Sequence, residues 1–265
     1  MLSPATPTCP PNEGRKNIIP MQQRLKTRAT ALLATAAIVL LGGTFGASAA
    51  NAATVSPQVI GGEQAPSTPW EVQLVFQQGG SGTYGCTGEQ INASWVLTAK
   101  HCVDGTTAMN VYHSNSTTNR GTATAADRLY SAPSGDIALV HLRTAKTLSS
   151  YAPLDLAYTT KSSGTGTIMG YGNRANSAPS TGLYQASVNL TGRSVDAYNG
   201  TAQHVTGVSG ASNHGDSGGP LLVNGKVVGV CSTGDVADPG ANTHAGSNYA
   251  VLTQSASWIR STAGV

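Results

Sequence analysis

Asn224–Gly225 stands between two apolar runs, Leu221–Leu222–Val223 and Val227–Val228–Gly229–Val230. Both loop residues tolerate positive φ, which a two-residue hairpin turn demands, so this is the strongest short-range signal of an antiparallel strand pair in the chain. The same short-run pattern recurs upstream. Glu71–Gln77 alternates polar and apolar residues, as a half-buried strand does, and a Gly/Ser turn follows at Gln78–Gly82. Ile91–Ala99, with Trp95–Val96–Leu97 at its centre, Ile137–Val140 and Thr167–Met169 read as further buried strands. One short helix is expected over Ser255–Ser261, with Trp258 and Ile259 facing the body. No internal repeat or helix–strand alternation is visible. The chain is therefore expected to be all-β, a sandwich or a barrel of short strands.

Composition narrows the partners. The 265 residues carry a formal charge of +3, but five of the fifteen basic residues (Arg15, Lys16, Arg24, Lys26 and Arg28) precede position 29. From Val59 onward ten basic residues face eleven acidic ones, a net charge of −1. No basic field suited to nucleic acid or to an anionic membrane remains in that part.

The first 58 residues read as targeting and processing segments. Arg24, Lys26 and Arg28 precede an apolar run from Ala29 to Gly43, and two small-residue exits follow, Ala47–Ser48–Ala49 and Ala50–Asn51–Ala52. That is the layout of a secretory signal peptide, placed here at residues 21–52. The run falls short of the roughly 20 residues that span a bilayer. Met21 is read as the natural start and residues 1–20 as an over-extended N-terminus. Residues 53–58 are left as a short activation peptide ahead of a single domain, 59–265. Secretion to the extracellular space is expected, with no membrane association after signal removal.

Three motifs carry chemistry. The first is Gly215–Asp216–Ser217–Gly218–Gly219–Pro220. A serine hydroxyl becomes a nucleophile when it is held exposed, given a base and faced by donors for the developing oxyanion. The glycines allow a tight turn from which the Gly215 and Ser217 amides can point at one oxygen. The second is Thr98–Ala99–Lys100–His101–Cys102, which puts a histidine just past a buried strand. In an oxidising compartment Cys102 can bridge to Cys86, closing a loop worth roughly 3 kcal/mol in the chain-entropy model. The third is Gly135–Asp136–Ile137–Ala138–Leu139, an aspartate opening a buried strand, where it can accept from an imidazole Nδ1–H. His113, His141, His204 and His244 lack such a setting and are read as structural or surface residues.

In the order His101, Asp136, Ser217, these motifs resemble the trypsin/chymotrypsin family of serine endopeptidases, whose triad is a standard template. Trp70, Val72, Leu74, Gly170–Tyr171–Gly172, Ser232 and Trp258–Ile259 extend the likeness over Val59–Val265. The resemblance implies two six-stranded antiparallel β-barrels with the site in the cleft between them. It implies attack by Ser217 on a peptide carbonyl, His101 as base and then acid, Asp136 orienting His101, and an acyl-enzyme. Activity is expected to fall as His101 protonates. The resemblance also implies a zymogen: cleavage between Gln58 and Val59 frees an amine that pairs with Asp216. No metal or organic cofactor is implied. Protein or peptide substrates and protein protease inhibitors are the expected partners, and the enzyme is expected to be a monomer.

Specificity follows from the same resemblance. Ala211 falls at the base of the primary pocket, Ser232–Thr233–Gly234 along one wall, and Ser247 on the side opposite. An uncharged base favours an apolar P1 residue, because a cation would be buried without a partner. Two other readings stay open: an acidic P1 met by Ser212, Ser232 and His244, and a basic P1 reached by Asp235 or Asp238. Asn213 stands where many relatives carry a cysteine, His214 lies at the rim or on the surface, and Cys231 is read as a buried free thiol. The rival functions are a non-catalytic binding protein on the same fold and an esterase using the same chemistry.

Overall fold

The computed structural model describes residues 59–80 and 82–265. The expected N-terminal extension, signal peptide and activation peptide lie outside the described residues. Among the described residues, thirteen strands and one short α-helix follow in chain order. Six strands form a first closed antiparallel barrel: β2 (Glu71–Gln78), β3 (Gly82–Gln90), β4 (Trp95–Thr98), β5 (Thr106–Tyr112), β6 (Thr124–Ser131) and β7 (Ala138–Leu142), in the spatial order β2-β3-β4-β7-β6-β5. Six more form the second: β8 (Thr165–Gly170), β9 (Tyr184–Val195), β10 (Thr201–Gly207), β11 (Pro220–Val223), β12 (Lys226–Gly234) and β13 (Gly246–Val251). Their order is β9-β10-β13-β12-β11-β8, closed by pairing of β8 with β9, and the two-residue β1 (Glu63–Gln64) adds to the outer edge of β9. All named strand pairs are antiparallel, and closure leaves few unpaired edges.

The hairpin read at Asn224–Gly225 joins β11 to β12, with both loop residues at positive φ, 52° and 74°. The helix α1 spans Ala256–Ala263, a little later than expected, because Leu252–Ser255 form a 3₁₀ turn first; Gly264, in the left-handed region, ends it. Ile259 is fully buried as expected, and Trp258 is half-buried.

Each barrel has its own core, and a third core joins them. Val72, Leu74, Val96, Val111 and Val140 fill the first barrel; Ile168, Leu190, Val205, Leu221 and Tyr249 fill the second. Leu97, Leu139, Val230, Ala250, Leu252 and Ile259 pack together where β4, β7, β12, β13 and α1 meet. Each fully buried side chain of this kind contributes roughly 1.5–3 kcal/mol, so this shared core fixes one barrel against the other. The cleft between them is thereby a rigid feature.

The half-buried reading of the first strand needs correction. Glu71 and Gln73, the first two polar positions of β2, are buried like Val72 and Leu74, while Gln77 near its end is exposed. Alternation marks a strand with one wet face, but here the loop after β5 covers the other. Gln73 Nε2 donates to the carbonyls of Ser114 and Ser116 (2.7 and 3.0 Å), and Gln73 Oε1 accepts from Arg120 Nε (2.9 Å). Glu71 sits directly opposite Glu89 in the β2–β3 register, both are fully buried, and none of their four carboxyl oxygens has a hydrogen-bond donor. Burial pushes both carboxyls well above the usual carboxylate range; the Asp216 charge adds to this at Glu71, and the Glu71 charge at Glu89.

A carboxyl whose pKa rises on folding keeps its proton in the folded state while the unfolded chain has lost it. Stability therefore falls as pH climbs from the unfolded value of ~4.3 through the folded values. Glu89→Gln supplies a permanent amide donor opposite Glu71. Thermal unfolding across pH 4–9 is expected to show a higher midpoint for this variant at pH 8 and a flatter decline than the parent; an unchanged slope would refute the account.

Candidate active site

The cluster begins with a strand end. β4 is buried along Val96 and Leu97, and the chain leaves it through a 3₁₀ turn, Lys100–Cys102. Cys102 is disulfide-bonded to Cys86 of β3, as expected, which ties this turn to the neighbouring strand. His101 therefore stands on a short, cross-linked turn at the edge of the first barrel, with its side chain 31% exposed.

Asp136 lies just before β7 and is completely buried. Its Oδ2 accepts from His101 Nδ1 at 2.7 Å and from Ser232 Oγ at 2.6 Å; its Oδ1 accepts from the His101 backbone N–H at 2.9 Å. Three donors thus replace the water this carboxylate has lost, and two of them fix the position of His101. Ser232 belongs to β12 of the second barrel, so the carboxylate binds both barrels at once. The Asp136 backbone N–H donates to Asp196 Oδ2 at 3.1 Å. Asp196 also accepts from the amides of Tyr198 and Gly200 and from Gln254 Nε2. The sequence reading missed Asp196. Its only signal was an Asp followed by Ala–Tyr–Asn–Gly, which any turn can carry.

Ser217 sits half-buried on the turn that enters β11. Its carbonyl accepts from the Thr87 N–H at 2.9 Å and lies 3.9 Å from Cys102 Sγ, so it packs against the disulfide whose second cysteine follows His101. Among the described residues its hydroxyl makes no hydrogen bond, and none joins it to His101. The structure thus brings His101 and Asp136 into direct contact and sets Ser217 across the same disulfide, with the Ser217–His101 link open.

Asp216 is buried beside the serine. Its Oδ1 accepts from the Gly172 amide and its Oδ2 from the Asn213 amide, both at 2.8 Å. Burial pushes its pKa up to about 7, against the pull of those two amides. A side chain on Gly170 or Gly172 would run into this carboxylate, which accounts for both glycines of the mid-chain motif. Val59 is buried in the second-barrel core, in a turn closed by the Gly62 N–H to the Val59 carbonyl at 2.7 Å. In the uncleaved chain Val59 is joined to Gln58, which lies outside the described residues, so it offers no amine to Asp216.

A cavity of about 300 Å³ opens beside Ser217, lined among others by Ser212, Asn213, His214, Ser232, Thr233 and Gly234. Ala211, expected at its base, is buried and does not border it. Ser212 Oγ, on the cavity wall, lies 2.6 Å from the Oγ of buried Ser247, which does not border the cavity either. Asp235 reaches the cavity, but its carboxylate is engaged by His204 Nε2 at 2.9 Å and Asn248 Nδ2 at 3.3 Å. Asp238 accepts from the Gly240 amide. His244 Nδ1 meets the Gly207 carbonyl, and exposed His214 meets the Ala237 carbonyl through Nε2 at 2.8 Å. Cys231 is a buried free thiol on the cavity wall, its pKa pushed up to about 12 by burial.

The family model for trypsin matches residues 59–259. The chain belongs to the trypsin family. It is therefore a serine-type endopeptidase, a hydrolase acting on protein or peptide substrates. Among its relatives, chymotrypsin-like elastase family member 1 of Homo sapiens is 30% identical over 213 residues, covering 69% of this chain and 83% of the relative. Trypsin-2 of Salmo salar is 29% identical, covering 71% and 89%. The chymotrypsin-like protease VLCTLP of Macrovipera lebetinus is 30% identical, covering 78% and 87%. The fold is that of the mouse-brain serine protease neuropsin (TM-score 0.64, 23% identity, covering 76% of this chain and 98% of the other). It is equally that of HL collagenase (TM-score 0.64, 20% identity, 77% and 98%). No helix among the described residues is long and apolar enough to cross a membrane.

Proposed function

We propose that this trypsin-family protease works through His101, Asp136 and Ser217, with the Gly215 and Ser217 amides as its oxyanion hole. The observation that carries this reading is the 2.7 Å contact between His101 Nδ1 and the fully buried Asp136 carboxylate. A carboxylate so placed holds the imidazole with Nε2 as the base and stabilises the imidazolium that forms. Among the described residues the Ser217 hydroxyl has no hydrogen-bond partner, so no described group competes with His101 for its proton. Ser217 Oγ attacks the peptide carbonyl as His101 accepts its proton. The two amides stabilise the oxyanion, and His101 then protonates the leaving amine. Water, deprotonated by His101, hydrolyses the acyl-enzyme.

Ser217→Ala is expected to lower kcat by about four to six orders of magnitude and to abolish labelling by a serine-directed phosphonate. Equal labelling of parent and variant would refute the assignment.

The primary pocket favours small apolar P1 residues. Ser247 backs Ser212 of the cavity wall, their hydroxyls 2.6 Å apart, and the acidic side chain among the described lining residues, Asp235, is already engaged. Two groups on which an acidic P1 would depend are committed elsewhere: Ser232 Oγ to Asp136 and His244 Nδ1 to Gly207. Asp235 and Asp238 are likewise engaged, which disfavours a basic P1. In a peptide library varied at P1, cleavage is expected after small aliphatic residues, and Ser247→Gly is expected to raise kcat/KM for larger apolar P1 residues about tenfold or more. Preferred cleavage after Lys, Arg, Asp or Glu would refute this reading.

The chain is further proposed to be a secreted zymogen activated between Gln58 and Val59, the new amine pairing with Asp216. A cation there removes the cost of burying that carboxylate in its ionised form. N-terminal sequencing of active enzyme from the culture medium is expected to begin at Val59; activity in a form that retains residues 53–58 would refute it.

A further inference from the structure

One residue of the first barrel holds both ends of the segment proposed as the oxyanion hole. Thr87, fully buried in β3, donates its backbone N–H to the Ser217 carbonyl at 2.9 Å. Its Oγ1 donates to the Gly215 carbonyl at 3.0 Å and accepts from the Tyr171 N–H at 3.1 Å. Its own carbonyl accepts from Thr98 Oγ1 at 2.8 Å, which fixes Thr87 to the end of β4. The preceding residue, Cys86, carries the disulfide to Cys102 beside His101.

Gly215 has φ of +97°, a conformation only glycine adopts without strain, so the backbone there has little intrinsic stiffness. Its orientation has to come from outside the segment. The Gly215 carbonyl belongs to the Gly215–Asp216 peptide and the Ser217 carbonyl to the Ser217–Gly218 peptide, so Thr87 pins the peptide that follows each proposed amide. The planes carrying those amides are held by the Asn173 N–H on the His214 carbonyl at 2.7 Å and the Gly219 N–H on the Asp216 carbonyl at 2.8 Å. The Asp216 carboxylate anchors the middle through Gly172 and Asn213.

We infer that Thr87 is a positioning residue: its hydroxyl and amide pin the peptides that follow Gly215 and Ser217, and so fix the place of the two residues whose amides face the substrate oxygen. This rests on the roles proposed above for Gly215 and Ser217. Nothing in the sequence motif around the serine points to it, because Thr87 precedes Gly215 by 128 residues.

Thr87→Val keeps the shape and removes only the hydroxyl, leaving the Gly215 carbonyl and the Tyr171 amide without that partner. In active enzyme made from the full chain, kcat is expected to fall roughly 10- to 100-fold with KM changed less than about threefold. Affinity for a peptidyl boronic acid, which forms a tetrahedral adduct on the serine, is expected to fall in parallel. Thr87→Ser, which keeps the hydroxyl, is expected to return kcat to within about threefold of the parent. A Val variant with parental kcat, a loss carried by KM, or equal loss in the Val and Ser variants would each overturn the inference. If the Val variant does not accumulate folded, Thr87→Ala against Thr87→Ser makes the same comparison, and equal kcat overturns it. Ser217→Ala inactive with Thr87→Val unimpaired sinks this inference alone; an active Ser217→Ala sinks the proposed function beneath it.

Discussion

A carboxylate removed from water has to be met by donors, and the arrangement around Asp136 is built on that requirement. The side chain is fully buried and accepts from the His101 ring, the His101 backbone and Ser232 Oγ. The first two contacts orient the imidazole, and the third comes from the opposite barrel. The charge that aligns His101 therefore also ties the two barrels together at the cleft. Loosening the barrels would strip Asp136 of a donor, and removing Asp136 would leave Ser232 and His101 without their shared acceptor.

The shared apolar core does the corresponding work without direction. Leu97 and Leu139 of the first barrel pack with Val230 and Ala250 of the second and Ile259 of α1. Apolar burial is strong but indifferent to orientation, so it brings the barrels together without setting the angle of any donor. The angles come from polar groups that cross the cleft: Ser232 to Asp136, and Thr87 to Gly215 and Ser217. The pair Glu71 and Glu89 shows the opposite choice, two buried carboxyls with no donor, held neutral by burial rather than paired.

Much of this was legible in the linear chain where a local rule applied. Asn224–Gly225 demanded a tight turn and formed one; short apolar runs bounded by turn residues became strands; Cys102 met Cys86. The alternation in Glu71–Gln77 identified a strand but misjudged its outer face, because the loop that covers Gln73 lies some forty residues later. The contact of Ser212, on the cavity wall, with buried Ser247 was equally out of reach, because it joins residues 35 apart. Asp196 and Thr87 were invisible for the same reason: each acts through hydrogen bonds to segments 60 and 128 residues away.

The amino-acid sequence by itself determined the class of fold, the family, the segments that carry His101, Asp136 and Ser217, and the near-neutral charge balance from Val59 onward. All of these depend on residue type, short-range periodicity or local turn chemistry. Tertiary structure alone decided that Asp136 is dry and triply donated, that buried Ser247 backs Ser212 of the cavity wall, and that Thr87 grips both ends of the Gly215–Ser217 segment. Those outcomes depend on which distant groups share a boundary after both barrels close, and hydrogen bonds act only over about 3 Å in space, whatever the separation along the chain.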